Sequence, residues 1–584
     1  MLRGDFNQSM GRVFVIYTGG CAACASLLIA LSLLGVPDRA IGIGFVALTV
    51  GFYAVMGLLS RTTQLGDYYV AGRHVPALYN GMATAADTLS AASFIGMAGA
   101  IYAAGFDGLA FVLGWTGGFI LVAVLLAPYL RKFGQYTVPD FLACRYGGNA
   151  ARLMGIVVLL SASFAYVVGQ IYGTGIIASR YLGVDFSLAV FVGLAGILLC
   201  SLLGGMRALI WTQVAQCVIV LIAYILPAVL LSTKATGIPL PQLVYGEAMQ
   251  RVAELQSHLG VAADALAPTD AVDRVNFIGL TLCLMLGIAS MPHLLSRFFT
   301  TPSVREARLS VAWTLLFIFL LFSTAPAYAA FAKLEVYQHV LGQPLAALPA
   351  WVNEWSRAGM LTVSGGGGPL RPADFALDPD AVVLAAPEIA GLPFFVAGLV
   401  AAGALAAALS SADGLLLSIA NAVSHDVYYR MLAPKAGPRQ RLLVARTVMV
   451  VVAGLAAWVA STRPAGILTV VGWGFSLAAS GLFSALVLGV WWKRATKAGA
   501  VLGMVAGWSV CLGYILATQT HAIEPLWGVR NIAAGIFGIP VSMLATVLAS
   551  LLTPAPSQDM QDFIDSIRMP RGHVRLAAGA PAEE

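Results

Sequence analysis

Four polar side chains stand in the otherwise apolar stretch AADTLSAASFIGMAGA (residues 85–100): Asp87, Thr88, Ser90 and Ser93. A second stretch, AAALSSADGLLLSIANAVSHD (406–426), holds adjacent Ser410 and Ser411, with Asp413 two residues on. A charge at the centre of a lipid-embedded helix costs at least about 2.5–3.5 kcal/mol, so Asp87 must face protein or a water-filled cavity. At helical spacing Ala86, Leu89, Ser90 and Ser93 share one face, as do Ala407, Ser410 and Ser411. Small residues on those faces let another helix approach closely, and Gly96 and Gly99 mark where the first stretch can unwind. Neutral oxygens gathered from two helices suit a hard, weakly charged cation, whereas no thiolate or imidazole cluster points to zinc or iron. The plainer alternative is packing: Asp87 in an inter-helix hydrogen bond, and the two serines bonded back to their own i−4 carbonyls.

Membrane-spanning helices must position these groups. The chain has 584 residues, 59% hydrophobic and only 10% charged, against about 25% charged in a soluble domain. A spanning helix needs about 20 apolar residues, and the pattern predicts about fourteen: 13–36, 40–60, 77–103, 108–130, 153–179, 185–204, 208–232, 275–296, 309–332, 391–422, 442–461, 465–492, 498–517 and 531–552. The first follows a short basic start, but its long apolar run without a clean cleavage site reads as a retained helix. With fourteen spans, 23 of the 33 Lys and Arg residues fall on the N-terminal side. The positive-inside rule then puts both termini in the cytoplasm, as for a protein integral to a bacterial inner membrane.

Several function classes fall away. No GxxxxGK[ST] occurs, and the run Gly365–Gly368 has no Lys-Ser/Thr after it, so nucleotide hydrolysis by this chain is not expected. Basic residues are scattered over short loops, which argues against nucleic acid. The seven cysteines lie in or beside apolar segments, and Cys21 and Cys24 read as helix packing. Nothing resembles a nucleophile–base constellation, so no enzyme is expected. A secondary transporter, a channel or a sensor remains.

The motifs GDYYVAGR (66–73), AADTLSAASFIG (85–96), YTVPDFLACRY (136–146), GGMRALIWTQVAQ (204–216), MPHLLSRFF (291–299) and ALSSADGLLL (408–417) occur in that order. In these the chain resembles the sodium:solute symporter family over about residues 40–520, most closely its acetate and other monocarboxylate permeases. The resemblance implies an all-α polytopic protein with a LeuT-type core of five-plus-five helices in inverted repeats, the first helix of each repeat broken. The repeats fall at 77–232 and 275–492, flanked by an N-terminal region 1–76, external loops 233–274 and 333–390, two C-terminal helices within 493–553, and a tail 554–584 expected to be disordered.

The family's sodium site, carried over position by position, implies backbone oxygens of Ala86, Leu89 and Ala407 with the hydroxyls of Ser410 and Ser411. Asp87 stands where the acetate permeases carry an aspartate, which would raise cation affinity or carry a coupling proton; Asp413 is a second coupling candidate. The chain departs from the family at Gln213, where an acidic residue often follows Trp-Thr of the fifth core helix, and at Ser93, where sugar carriers have glutamine. Thr88, Ser90, Ser93, Trp115, His293 and Trp473 are the solute-site candidates, with packing as the alternative for both tryptophans. No basic residue falls clearly at mid-membrane, so a carboxylate would rely on N–H groups of a broken helix or pair with the bound ion. The expected function is sodium-coupled uptake of a small monocarboxylate such as acetate. Alternatives are another solute such as proline, a proton in place of sodium, or a transporter-like sensor with a separate partner; a small membrane subunit stays open as an accessory.

Overall fold

The computed structural model describes residues 34–59, 65–134, 136–202, 205–260, 271–364 and 368–569, with scattered positions from 19 to 31. Most of the helix expected at 13–36, the cysteine pair Cys21 and Cys24, and most of the Gly365–Gly368 run lie outside them. Among the described residues ten helical stretches are long and apolar enough to cross a membrane. Ala92–Phe133 among them joins the end of the expected span 77–103 to the whole of 108–130, and two shorter apolar helices cover Ala40–Phe52 and Phe186–Leu198.

Helix α1 (Asp38–Leu59) precedes the core. Then α2 (Ala77–Thr88) stops at Leu89, whose ψ of 63° is not helical. The chain resumes through a π turn, Ala92–Gly96, into α3 (Met97–Ala104). It continues through α4 (Leu109–Leu121), the long α5 (Asn149–Leu182), α6 (Phe186–Ser201) and α7 (Gly205–Thr236). A second broken helix follows: α8 (Ala271–Ile288) ends, Met291 is extended, and α9 (Pro292–Ser296) restarts. Pro292 accounts for this break, since proline drives the preceding residue out of the helical region and removes a backbone donor.

Helices α10 (Val304–Phe322), α11 (Phe394–Asn421), α12 (Pro438–Ser461) and α13 (Ile467–Ala478) follow, and α14 (Lys497–Gln519) pairs with α15 (Gly535–Leu552). At the centre α11 packs on α2, α5 and α7. Alanine, glycine and serine dominate these faces for a steric reason: a Cβ on Gly403 would lie 2.3 Å from the Ala223 side chain of α7.

Two expectations change. The 333–390 segment is a folded cap, with helices Ala350–Arg357 and Val382–Ile389 and an antiparallel pair, β1 (Leu361–Val363) and β2 (Phe375–Leu377), in which Leu361 faces Leu377. Its Pro379 carbonyl sits where a Cβ on Gly99 would be, and Asp380 Oδ2 accepts from the Ile467 N–H at 2.9 Å. The tail is not wholly disordered either. Residues Gln558–Arg568 form an amphipathic helix whose Phe563 is buried against Phe133 and whose Asp565 pairs with Lys493 at 2.6 Å. An apolar stripe on a mixed-charge sequence is easily hidden in composition, but a partner surface can still order it.

Ser364 and Lys435 are both exposed and flank, in the chain, the helical stretch Phe394–Leu432. In intact cells, and in a background without native cysteines, Ser364→Cys should react with an impermeant thiol reagent and Lys435→Cys should not. Labelling of Lys435→Cys alone would reverse the orientation set by the basic loops.

Candidate functional site

Ala86, Asp87, Leu89, Ser410 and Ser411 are completely buried where α2 meets α11. The Ser410 hydroxyl lies 2.7 Å from the Ala86 carbonyl oxygen and 2.9 Å from that of Ala407. Ser411 Oγ lies 2.6 Å from the Asp87 carbonyl oxygen. Two helices thus bring hydroxyl and carbonyl oxygens into contact at one point, beside the break at Leu89 that leaves carbonyls of α2 without helical partners. Such a donor set is hard and uncharged, and it fits an alkali cation. Asp413, one turn further along α11, instead accepts from Ser201 of α6.

The Asp87 carboxylate reaches a partner that sequence analysis missed. Arg297, just after α9, donates to Asp87 Oδ2 through Nη2 at 2.8 Å and Nε at 3.1 Å. Both side chains are essentially buried, at 1% and 0% exposure, so a basic residue that the sequence placed in a loop lies beside the candidate ion site. Arg297 is six residues beyond the extended Met291 and reads in sequence as the first charge of a loop; only the break brings it inward. Gln213 of α7 sits where the family often has an acid. Its amide Nε2 donates to Asp87 Oδ1 at 3.2 Å and to the Ser410 carbonyl at 2.8 Å.

The solute candidates divide. Trp115 packs on Phe475 of α13 at 6.0 Å between ring centroids, Phe475 on Tyr166 of α5 at 5.2 Å, and Tyr166 on His293 at 5.6 Å. The Trp115 indole nitrogen and both His293 ring nitrogens are buried without a hydrogen-bond partner in the protein. Trp473 is not with them: its indole N–H points to Asn531 Oδ1 at 3.4 Å, because Phe475, two residues on, occupies the inward face. The Thr88 hydroxyl bonds back to the Thr84 carbonyl at 2.8 Å, and Ser93 Oγ bonds to the Thr88 and Ser90 carbonyls at 3.1 and 3.2 Å, closing acceptors freed by the break. The freed Ala91 N–H is also taken, by Gln170 Oε1 of α5 at 2.9 Å. That bond fixes the amide's orientation and leaves the buried Gln170 Nε2 with no acceptor. A glutamine midway along an apolar span was the available signal for it.

At the other end of α11 the chain runs on as a π-helical segment, Ala422–Leu432, past the expected end at 422. Ligand atoms of Asp140, His425 and Asp426 come within 4.8 Å of one another. The ring is already committed: Arg441 donates to Nδ1 at 2.9 Å, so the proton is on Nε2, facing Asp140 Oδ2 at 3.1 Å. Arg152 takes the other Asp140 oxygen at 2.9 Å. The cluster reads as an ion-pair knot tying α11 and α12 to the helices flanking Gly147.

Comparison with known proteins identifies the family and the fold. The profile of the sodium:solute symporter family matches residues 68–345 and 381–507. An uncharacterized symporter of Cupriavidus necator is 42% identical, over 90% of this chain and 94% of that protein. A Na+-coupled sialic acid symporter solved in a substrate-bound, outward-open state superposes with a TM-score of 0.67 at 18% identity, covering 89% of this chain and 98% of that one. The likeness shows the fold, an all-α polytopic bundle of the LeuT type.

Gly414 is what admits the carboxylate, since a Cβ there would lie 2.4 Å from Asp87 Oδ1. Gly414→Ala should destabilise by about 1–3 kcal/mol, as overpacking does. Gly454→Ala, with nothing within 4 Å of the new Cβ, should be neutral or stabilising by up to about 1 kcal/mol. Thermal unfolding of the detergent-solubilised variants checks both; equal midpoints would show that Asp87 has room to move.

Proposed function

Because the chain belongs to the sodium:solute symporter family, we propose that it couples sodium entry to uptake of a small monocarboxylate such as acetate, with Ala86, Leu89, Ala407, Ser410 and Ser411 as sodium ligands. Sodium is the coupling ion of this family, and the protein is integral to a membrane. The observation that carries the residue assignment is the contact of one hydroxyl, Ser410 Oγ, with carbonyl oxygens of two different helices. On sodium entry the Ser410 and Ser411 protons turn aside, and lone pairs that now accept or face O–H dipoles face the ion. Oxygens already held by the two helices need little reorganisation to do so.

For the solute, the support is a surplus of neutral donors around an aromatic wall. Gln170 Nε2, the Trp115 indole N–H and one His293 N–H are buried without acceptors. A buried donor left unmet costs about 1–3 kcal/mol, and a carboxylate offers two oxygens to meet such groups. Tyr166 and Phe475 suit a short apolar chain and leave a bulky polyol few partners. In this reading 77–232 and 275–492 are the inverted repeats, whose broken helices α2–α3 and α8–α9 flank the site. Both termini are cytoplasmic, in a bacterial inner membrane.

Uptake of labelled acetate into membrane vesicles, with and without an inward sodium gradient, tests the coupling and the solute together. Replacing Ser410 and Ser411 by alanine removes two of the five oxygens while sparing the packing. At about 1.5–3 kcal/mol for hydrogen bonds of comparable charge-assisted strength, sodium for half-maximal uptake should rise at least about tenfold. Acetate affinity should fall at low sodium and recover as sodium is raised. An unchanged half-maximal sodium concentration would remove these serines from the ion site.

A further inference from the structure

We propose that the cytoplasmic end of α12 binds the headgroup phosphate of an anionic phospholipid, with Arg446 as its contact residue and the acyl chains lying along Leu443, Val450 and Trp458. This goes beyond the transport reading and shares with it only the orientation of the bundle. The stretch PRQRLLVAR (438–446) puts three arginines into the first turns of that helix, and their surroundings differ. Arg439 is exposed. Arg441 is buried: it donates to His425 and its guanidinium lies 3.8 Å from the centre of the Tyr429 ring, yet its Nε has no acceptor. Arg446 makes no hydrogen bond or ion pair with any described residue, and its Nε is likewise buried and unmet.

The nearby acids have other partners. Asp140 is held by His425 and Arg152, Asp426 accepts from Thr137 and lies 3.9 Å from Arg152, and Asp67 pairs with Arg207 at 2.9 Å. Tyr69 links the basic groups: its ring lies 5.4 Å from the Arg441 guanidinium and 5.4 Å from the ring of Tyr68, whose hydroxyl feels the Arg446 charge. Arg430 stands 5.8 Å from the Tyr429 ring. With Arg152, four guanidiniums face two carboxylates, Asp140 and Asp426, and leave a surplus of positive charge in one corner of the bundle. Such a surplus is costly away from water unless an anion meets it. The position of Arg446 says which anion. It lies three residues after Leu443 and four before Val450, at the edge of an outward stripe on which Leu443, Val450 and Trp458 are exposed. A helical side chain leans toward the N-terminus of its helix, so this guanidinium is carried back toward the headgroup level, as snorkelling arginines are. The N-terminus of α12 adds the positive end of its dipole. Free phosphate would meet the same charges, but a lipid also covers the apolar stripe, and the cytoplasmic leaflet supplies negative headgroups at this depth.

The test follows the thermal midpoint of purified protein in mixed micelles, at constant ionic strength, as phosphatidylglycerol, phosphatidylcholine or inorganic phosphate is added. Phosphatidylglycerol should raise the midpoint and phosphatidylcholine should not. Arg446→Gln should need about fivefold more phosphatidylglycerol for half the rise, the share of one basic residue at an anionic surface. Arg446→Lys, which keeps the charge, should stay near the parent protein. Arg308→Gln, at an exposed arginine in the first turns of α10 on the same side of the membrane, should match the parent. Native mass spectrometry should find phosphatidylglycerol retained on the parent and lost from Arg446→Gln. The parent's choice between the two lipids carries the test even if Arg446→Gln does not fold. The proposal fails if the two lipids act alike on the parent, if Arg446→Gln responds as the parent does, or if Arg308→Gln weakens the response equally, the mark of a diffuse charge effect. Inorganic phosphate that reproduces the rise at the same concentrations would overturn the lipid in favour of a free-phosphate site. Because the readout is binding, failure here leaves the sodium-coupled reading untouched, and failure of that reading leaves this site standing.

Discussion

A carboxylate taken out of water among apolar helices must find a positive partner or give up its charge, and Asp87 finds Arg297. Much else in the centre of the bundle follows from that need. Gly414 is small so that the carboxylate fits against α11. Gln213 bridges the second carboxylate oxygen to the carbonyl of Ser410. The break before α9 lets a residue that follows a short helix turn inward. Replacing one member would leave the other buried and uncompensated, a loss of about 3–5 kcal/mol in comparable cases.

The broken backbone is tolerated because nearly every group it releases near Leu89 is met. Ser93 takes two carbonyls, Gln170 takes the Ala91 N–H, and Ser410 and Ser411 take the carbonyls of Ala86 and Asp87. Irregular backbone at membrane depth is viable only when protein or water satisfies it. The same hydroxyls that stabilise the break are those a cation would use. This gives the serines two compatible tasks, so a packing role and an ion-binding role need not compete in this fold.

Around this centre the ends of the bundle are held by firmer devices. Arg145 is buried and donates to the carbonyls of Gly489, Trp492 and Ala495, capping a helix C-terminus whose acceptors would otherwise be orphaned. The Asp140–His425–Arg441 knot anchors the far end of α11. On the other side, the folded cap presses Pro379 onto Gly99 of α3 and pins the start of α13 through Asp380. Elements fixed at their ends with a polar, broken middle suit a protein that must open on one side at a time.

Composition, hydropathy and the order of short motifs determined the class, the helices and the faces of α2 and α11 that meet, because lipid demands long apolar runs and leaves few places for polar groups. The serine pair and Asp87 were legible for the same reason: a polar side chain in such a run is conspicuous. What only the tertiary structure decided was which partner each polar group meets. Arg297 looked like a loop charge, Trp473 rather than Phe475 looked inward, and the tail looked featureless. Those outcomes depend on where a helix breaks and on which face another helix covers. Contacts between residues hundreds of positions apart, such as Asp87 with Arg297 and Asp140 with His425, leave no local periodicity to read.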